Sequence, residues 1–381
     1  MSKKVLYVAS TDIHLNNFHL PYMKLFREKD FEVHAAYNGT LEFSEADIIH
    51  KVKFDRRPFS LKNLKALMLL IKLMRIFKFE VIHCHTPTAS VIVRLAYIFS
   101  FQWKSFIFYT AHGFIFYKGA PLKNWLIFYP IEIAMSLVTD CIITMNNEDW
   151  GYINKPWFRC KYKYNIDGIG VNPDRLTLNT NYQSLNDLRT ELKIDPKDQV
   201  FIYIGEFNKR KNHRYIFDAI RKLVECTEEK FVVLFAGGFS TEKKSCAEYA
   251  KKHHFENHLR FLGYRNDISS LIAISNIGIT SSKTEGLPIG VLELMFSKKP
   301  VLASNIRGHK EILKDGENGF LFDLANSDSL KNKMLLFLKN TKLSREVGDN
   351  APKTIERFLL KNSFIQMMNI YNDCLPKFIN S

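Results

Sequence analysis

Eleven short apolar runs, each three to six residues long, alternate along this chain with segments of helical spacing. That alternation leaves few folds open. Strands this short and apolar are buried on both faces, and helical connections between them make neighbouring strands parallel. The first half carries runs at 5–9, 32–36, 81–83, 105–110 and 141–144; the second carries runs at 200–204, 231–236, 259–262, 277–280, 300–303 and 319–322. Between the halves lies 166–198, polar and rich in Asn and Asp. At 381 residues the chain exceeds one ordinary core. The expected organisation is an α/β domain over 1–165, a linker and entry segment over 166–198, a second α/β domain over 199–353 and a helical tail over 354–381. Parallel sheets of this kind bind ligands beyond the C-terminal ends of their strands. The segments leaving each run are therefore the places to look for chemistry.

The segment 284–293, Thr-Glu-Gly-Leu-Pro-Ile-Gly-Val-Leu-Glu, is the richest of them. Glu285 and Glu293 bracket a turn marked by Gly286, Leu287 and Pro288. An apolar run precedes it and an amphipathic run, 289–296, follows, so the local reading is strand, loop, helix. Pro288 suits the first helical position, where its missing N–H would be unpaired anyway. The N–H groups of Ile289 and Gly290 then face the loop, and such a helix start attracts phosphate. Glu285 sits at the mouth and Glu293 about a turn and a half inside. One pocket can hold a phosphate on backbone amides and hydroxyl groups on two carboxylates, which suits a nucleotide sugar.

This segment resembles the E-x7-E signature of the retaining family 4 glycosyltransferases. The resemblance spans nearly the whole chain and is most specific over 200–320. It implies the GT-B fold: two Rossmann-like domains facing across a cleft, with the last helix crossing back to the first domain. After the run at 200–204 comes Gly205-Glu206-Phe207-Asn208-Lys209-Arg210-Lys211-Asn212-His213. The family has Gly-Arg-Leu here and then a Lys at the position of Lys211, the Arg and Lys gripping the donor diphosphate. Lys211 matches, whereas Glu206 stands where Arg is usual and Asn212 where Gly is usual. A carboxylate cannot neutralise a leaving diphosphate, so either Lys209 or Arg210 is expected to supply the missing cation. Gly263-Tyr264-Arg265 resembles the segment lying against the nucleotide base. Gly263 permits close approach, and Tyr264 or Arg265 is placed to stack on the base or pair with it. The segment 304–311 resembles the family's Gly-Gly-x-x-Glu, with Arg307 in place of the first Gly.

On the acceptor side, Tyr109-Thr110-Ala111-His112-Gly113-Phe114 follows a strand and resembles the family's first-domain His segment, whose His lies near the donor sugar. His83-Cys84-His85 ends another strand, and His85 is assigned to the acceptor. A metal is not expected there: consecutive strand residues point to opposite faces, and no second ligand pair follows. After the first run, the loop holding Asp12, His14, Asn16 and Asn17 lacks the glycines common in the family, so it is expected to meet the acceptor through side chains. No D-x-D motif for a metal-held diphosphate occurs. The expected active site is therefore metal-independent and free of cofactors, the nucleotide sugar being a substrate.

Charge and hydropathy bear on the partner. The net charge of +15 points to a polyanion: nucleic acid, anionic lipid or a phosphorylated substrate. The six cysteines are scattered without a C-x-x-C pair, as expected of reduced core residues in the cytosol. The start runs directly into a strand without a signal-peptide pattern. No uncharged stretch reaches the ~18 residues needed to span a bilayer. Ser60 is a candidate N-cap for a helix over 61–79 that sets Lys62, Lys65, Lys72, Arg75 and Lys78 among Leu, Ile and Met. Such a helix either lies on an anionic membrane or buries its apolar side in the core with lysines in water. The aromatic run 114–131 offers a second interfacial segment.

The expected function is retaining transfer of a hexose or N-acetylhexosamine from a UDP-sugar to a lipid-linked or saccharide acceptor, in capsule or exopolysaccharide assembly. The expected place is the inner face of the cell membrane, peripherally bound. Catalysis is assigned to His112, Glu285 and Lys211, and donor binding to Lys209, Arg210, Gly263, Tyr264, Arg265, Gly286, Leu287, Pro288, Ile289 and Glu293. By the same resemblance the leaving-group oxygen accepts the acceptor's proton. A GT-B nucleotide-sugar epimerase is the alternative. Nucleic acid is not expected as a partner, since only the charge points to it.

Overall fold

Among the described residues, thirteen strands form two all-parallel sheets, one in each of two compact units. The computed structural model describes residues 3–375 except 56, 58, 59, 102, 103, 178–181 and 239. The first unit holds residues 1–169 and 363–381, the second residues 170–362.

In the first unit the strands are β1 (Lys3–Val8), β2 (Phe31–Tyr37), β3 (Ile48–Lys51), β4 (Val81–His85), β5 (Phe106–Thr110), β6 (Cys141–Thr144) and β7 (Tyr162–Asn165). Their order is β3-β2-β1-β4-β5-β6-β7, so the winding reverses between β1 and β4. The register puts His85 beside Thr110 at the end of β4 and β5. Two strands, β3 and β7, have no counterpart among the apolar runs. They are the sheet's two edges, and Ile-Ile-His-Lys and Tyr-Lys-Tyr-Asn keep partial exposure there. Leu6, Val8, Ile82, Ile107 and Ile142 pack against Leu70, Leu73, Val93 and Ala96 of the helices Leu61–Phe77 and Pro87–Ser100. Each such side chain taken out of water stabilises the fold by ~1.5–3 kcal/mol before chain entropy is counted.

The second unit orders its strands β10-β9-β8-β11-β12-β13, with β8 at Gln199–Ile204, β9 at Phe231–Ala236, β10 at Leu259–Gly263, β11 at Ile277–Thr280, β12 at Val301–Ser304 and β13 at Phe320–Phe322. All six fall on apolar runs. The segment read as a linker is different: Leu188, Leu192 and Ile194 are buried in the second core, and the units divide at 169/170. Its polar surface is that of the helix Tyr182–Glu191, which buries only one edge.

The tail returns to the first unit. The helix Leu360–Cys374 places Tyr371 against the first sheet, its hydroxyl 3.2 Å from that of Tyr7 and 2.8 Å from His83 Nδ1. The return begins at Ser363, later than the expected 354, and 376–381 lie outside the described residues. Ser60 caps the helix Leu61–Phe77 as expected, accepting from Lys62 N at 3.3 Å.

Candidate functional site

In the second unit, β8 and β11 deliver two loops that lock onto each other. The β8 loop leaves between glycines because the backbone crowds there: a Cβ on Gly237 would lie 1.9 Å from Gly205 O. Its far end is tied down by three hydroxyl bonds. Tyr203 donates to Lys211 O at 3.0 Å, and Ser281 donates to Lys211 O at 3.1 Å and Asn212 O at 2.8 Å. Asn212 starts the helix His213–Val224 with φ +54°, where the usual Gly would sit without strain.

The β11 loop brings Glu285 to these cations. Glu285 accepts from Ser282 Oγ at 2.7 Å, and it pairs with Lys211 Nζ at 2.8 Å and with Arg210 Nη1 at 2.5 Å. Burial would push its carboxyl up, but Lys211 and Arg210 overcome that and hold it at about 2. Arg210 also donates to Thr284 O at 3.2 Å. Lys209 is exposed and forms no ion pair among the described residues, so of the two candidate cations it is Arg210 that reaches the site. Glu206 is exposed and accepts from Asn208 Nδ2 at 3.3 Å.

Pro288 is the N-cap, and the helix Ile289–Phe296 starts one residue later than expected. Among the described residues the N–H groups of Ile289 and Gly290 make no hydrogen bond, so the helix start points two free donors into the loop of Gly286 and Leu287. Gly308 closes the other side: a Cβ there would lie 2.7 Å from Glu285 O and 2.8 Å from Gly286 O. Glu293 sits inward and half-buried, and its carboxylate has no hydrogen-bond partner among the described residues. Burial pushes its carboxyl up to about 7, with Arg175 pulling weakly the other way.

The base segment is divided. Gly263 ends β10 at φ +71° with a register shift, and its carbonyl accepts from Gly237 N at 2.8 Å. Tyr264 projects into solvent at 71% exposure. Arg265 is already engaged, donating to Asp267 at 2.7 and 2.5 Å and lying 3.7 Å from Glu191. Of the two candidates, Tyr264 is the one left available.

In the first unit the acceptor-side residues separate into two groups. Asp12 is occupied: its carboxylate accepts from Ile13 N, Thr40 N and Leu41 N at 2.7, 2.8 and 3.0 Å. It shapes the 39–41 loop and is not available to an acceptor, because a buried carboxylate with three N–H donors is satisfied. Asn16 and Asn17 lie on the short helix Asp12–Phe18 and bond to each other at 3.4 Å. His14, His85 and His112 converge, and His19, which sequence reading overlooked, joins them. His14 Nε2 lies 3.1 Å from His112 Nε2 and 3.3 Å from His19 Nε2, and His112 Nε2 lies 3.4 Å from His85 Nδ1. Burial pushes His14 down to about 4, and burial with mutual repulsion holds His19, His85 and His112 well below the usual range.

The reason for expecting no metal ligands here does not hold. Cys84 does point away, its thiol donating to Phe108 O. His83 and His85 share a side, with ring centroids 4.2 Å apart, and His14, His19 and His112 join His85 from other segments of the chain. His83 is not one of them, since Tyr371 and Thr110 take its two nitrogens at 2.8 and 2.7 Å. Sequence reading missed Ser282, whose only signal was its place just after a strand, and it gave Gly308 and the buried His309 no role beyond their place in the 304–311 segment; His309 Nδ1 meets Ser304 O at 2.7 Å.

Residues 186–354 match the family model described as glycosyl transferases group 1, and residues 4–146 match the glycosyl transferase 4-like model. EpsD of Bacillus subtilis (strain 168), provisionally named a glycosyltransferase, is 35% identical over 98% of this chain and 97% of its own. The Escherichia coli UDP-Gal:alpha-D-GlcNAc-diphosphoundecaprenol alpha-1,3-galactosyltransferase is 25% identical, with 81% of each chain covered. Among solved structures, Anabaena Alr3699/HepE in complex with UDP and glucose superposes with a TM-score of 0.79 at 17% identity, covering 97% of this chain and 100% of its own. WaaG, a glycosyltransferase involved in lipopolysaccharide biosynthesis, has a TM-score of 0.71 at 14% identity over 95% and 99%.

Proposed function

This chain belongs to the GT-B glycosyltransferases of the family 4 type, and we propose that it transfers a hexose or N-acetylhexosamine from a UDP-sugar, with retention, to a lipid-linked saccharide acceptor. The observation that carries the donor half is the contact of Lys211 and Arg210 with Glu285 beside the open start of the helix Ile289–Phe296. Two cations and two free amides take the diphosphate charge, and no metal is required on it. Glu285 is then released to the hydroxyls of the donor sugar. Glu293, deeper in, takes the ribose hydroxyls, and Tyr264 lies against the base. The leaving oxygen receives the acceptor's proton, while His112 orients the sugar and the incoming hydroxyl. The UDP-glucose complex of HepE and the UDP-Gal donor in the name of the E. coli relative support a UDP-sugar.

The acceptor half rests on the first unit. The helix Leu61–Phe77 exposes Leu61, Leu64, Met68 and Ile76 among Lys62, Lys65, Lys72 and Arg75, the composition of a helix lying on an anionic surface. The helix Leu122–Ser136 exposes Leu122, Leu126 and Ile127. Beside it a 340 Å³ apolar cavity opens between Val91, Leu95, Phe114, Phe128, Ile131 and Met135, suited to a lipid chain. No described helix is long and apolar enough to cross a membrane. Peripheral attachment at the inner leaflet and a place in exopolysaccharide or capsule assembly follow from this reading, and EpsD and the diphosphoundecaprenol-linked substrate in the E. coli relative's name support it.

The test is a screen of the full chain against nucleotide sugars, with and without diphosphate-lipid-linked acceptors, reading released UDP. The expected result is UDP release that needs acceptor and gains nothing from Mg²⁺ or Mn²⁺. Release of a free epimerised sugar without acceptor would replace transfer by the epimerase reading.

A further inference from the structure

Four imidazoles meet at the C-terminal ends of β1, β4 and β5, where the strand order of the first sheet reverses. We propose that His14, His19, His85 and His112 form a four-nitrogen site for a divalent transition metal of the zinc class.

The spacing fits. Zinc–imidazole bonds of about 2.0–2.1 Å in tetrahedral array put ligand nitrogens about 3.3 Å apart. Three of the nitrogen pairs here lie at 3.1, 3.3 and 3.4 Å, and one nitrogen from each residue falls within 4.8 Å of the other three.

Linear hydrogen bonds cannot account for all three of these contacts at once. A ring nitrogen carries either one proton or one lone pair in the ring plane, so it forms one linear hydrogen bond. His14 Nε2 stands in two of the three contacts and His112 Nε2 also in two. Pairing His19 with His14 and His112 with His85 uses every nitrogen once. It leaves the shortest approach, His14 to His112 at 3.1 Å, without a linear hydrogen bond of its own in any tautomer. A cation at the centre accepts all four lone pairs and removes the conflict. No carboxylate belongs to the group among the described residues, so protonated rings would have no counter-charge there.

The outer nitrogens His19 Nδ1 and His85 Nε2 are buried and meet no partner among the described residues, so both rings carry a desolvation cost that metal bonds at their inner nitrogens would offset. An all-imidazole donor set selects zinc, copper or nickel over magnesium or calcium. His19 and His85 stack at 3.7 Å between centroids and 23° between planes, so these two rings turn apart for both to face one ion.

Four protein ligands close a site, which makes it structural. It pins the segment after β1 to the ends of β4 and β5, and so fixes the loops of the acceptor side. Coordination through Nε2 leaves His112 Nδ1–H for a substrate hydroxyl. The site belongs to the first unit, and Lys211 and Arg210 belong to the second.

The experiment uses the full chain with any affinity tag removed. The protein is stripped with chelator, loaded with Zn²⁺, passed over a size column with a competing weak chelator, and its metal is counted by mass spectrometry. One Zn²⁺ per chain is expected, and Co²⁺ in its place should give the intense visible bands of tetrahedral coordination. His19→Ala and His85→Ala should lose this binding, and the surface double variant His253→Ala/His254→Ala should keep it. Wild-type protein that retains no Zn²⁺, a Co²⁺ spectrum of octahedral type, or full retention in His19→Ala and His85→Ala would each overturn the proposal. The wild-type measurements decide the matter even where a variant does not fold.

Discussion

Lys211 Nζ lies 2.8 Å from Glu285 Oε1, so the cation suited to a diphosphate is held by the carboxylate suited to a sugar. Without donor each neutralises the other, and a UDP-sugar can replace both partners at once. Glu285→Gln removes the internal competitor for Lys211 and Arg210. UDP affinity, read by calorimetry, should hold or tighten, while turnover falls at least ~10-fold, or about 1.4 kcal/mol of transition-state stabilisation. Weakened UDP binding with unchanged turnover would place Glu285 outside this exchange.

Arg210 meets Glu285 and Lys209 does not, so the proposed function assigns replacement of the usual family Arg at Glu206 to Arg210. Arg210→Ala should lower kcat/KM at least ~10-fold. Lys209→Ala and Glu206→Ala should stay near wild type. Steady-state kinetics with Lys211→Ala as reference reads this; a large loss in Lys209→Ala alone would reverse the assignment.

Glu293 is raised by burial from its ordinary 4.5 to about 7. The folded chain therefore binds more protons than the unfolded one between these values, and the residue's contribution to stability falls as pH rises through that window. Donor binding runs the other way. If the carboxylate grips ribose hydroxyls, UDP affinity should climb as pH passes about 7 and plateau above it. Glu293→Gln should flatten that step. Titrations at pH 6 and 8 suffice, and an unchanged step in the variant would assign it to another group.

Arg94 and Glu132 form a buried pair at 2.9 Å, with Arg94 lying over the Tyr109 ring at 4.3 Å. Removing one partner strands the other charge. Glu132→Ala should cost ~3–5 kcal/mol and lower Tm by roughly 6–20 °C. The double variant Arg94→Met/Glu132→Leu should recover most of it, since an apolar pair carries no desolvation cost. Thermal melts of the three proteins decide whether the pair or its packing matters.

The two-sheet architecture and the donor loops were legible because they are local. An apolar run marks a strand wherever both faces are buried, and all six strands of the second unit were visible that way. The edge strands β3 and β7 were not, because an edge keeps polar residues that erase the pattern. The polar surface of 166–198 likewise hid the buried side of its helix, since a helix shows its apolar stripe only in projection.

From the sequence alone came the fold class, the strand–loop–helix around Glu285 and Glu293, and the departure at Glu206. Each depends on neighbours a few positions apart. Only the tertiary structure decided which of Lys209 and Arg210 meets Glu285, that Asp12 is taken up by the 39–41 backbone, and that His19 joins His14, His85 and His112. Those partners come from strand ends that are distant in sequence and adjacent in a parallel sheet. Spacing along the chain carries no record of that adjacency, and the sheet order creates it.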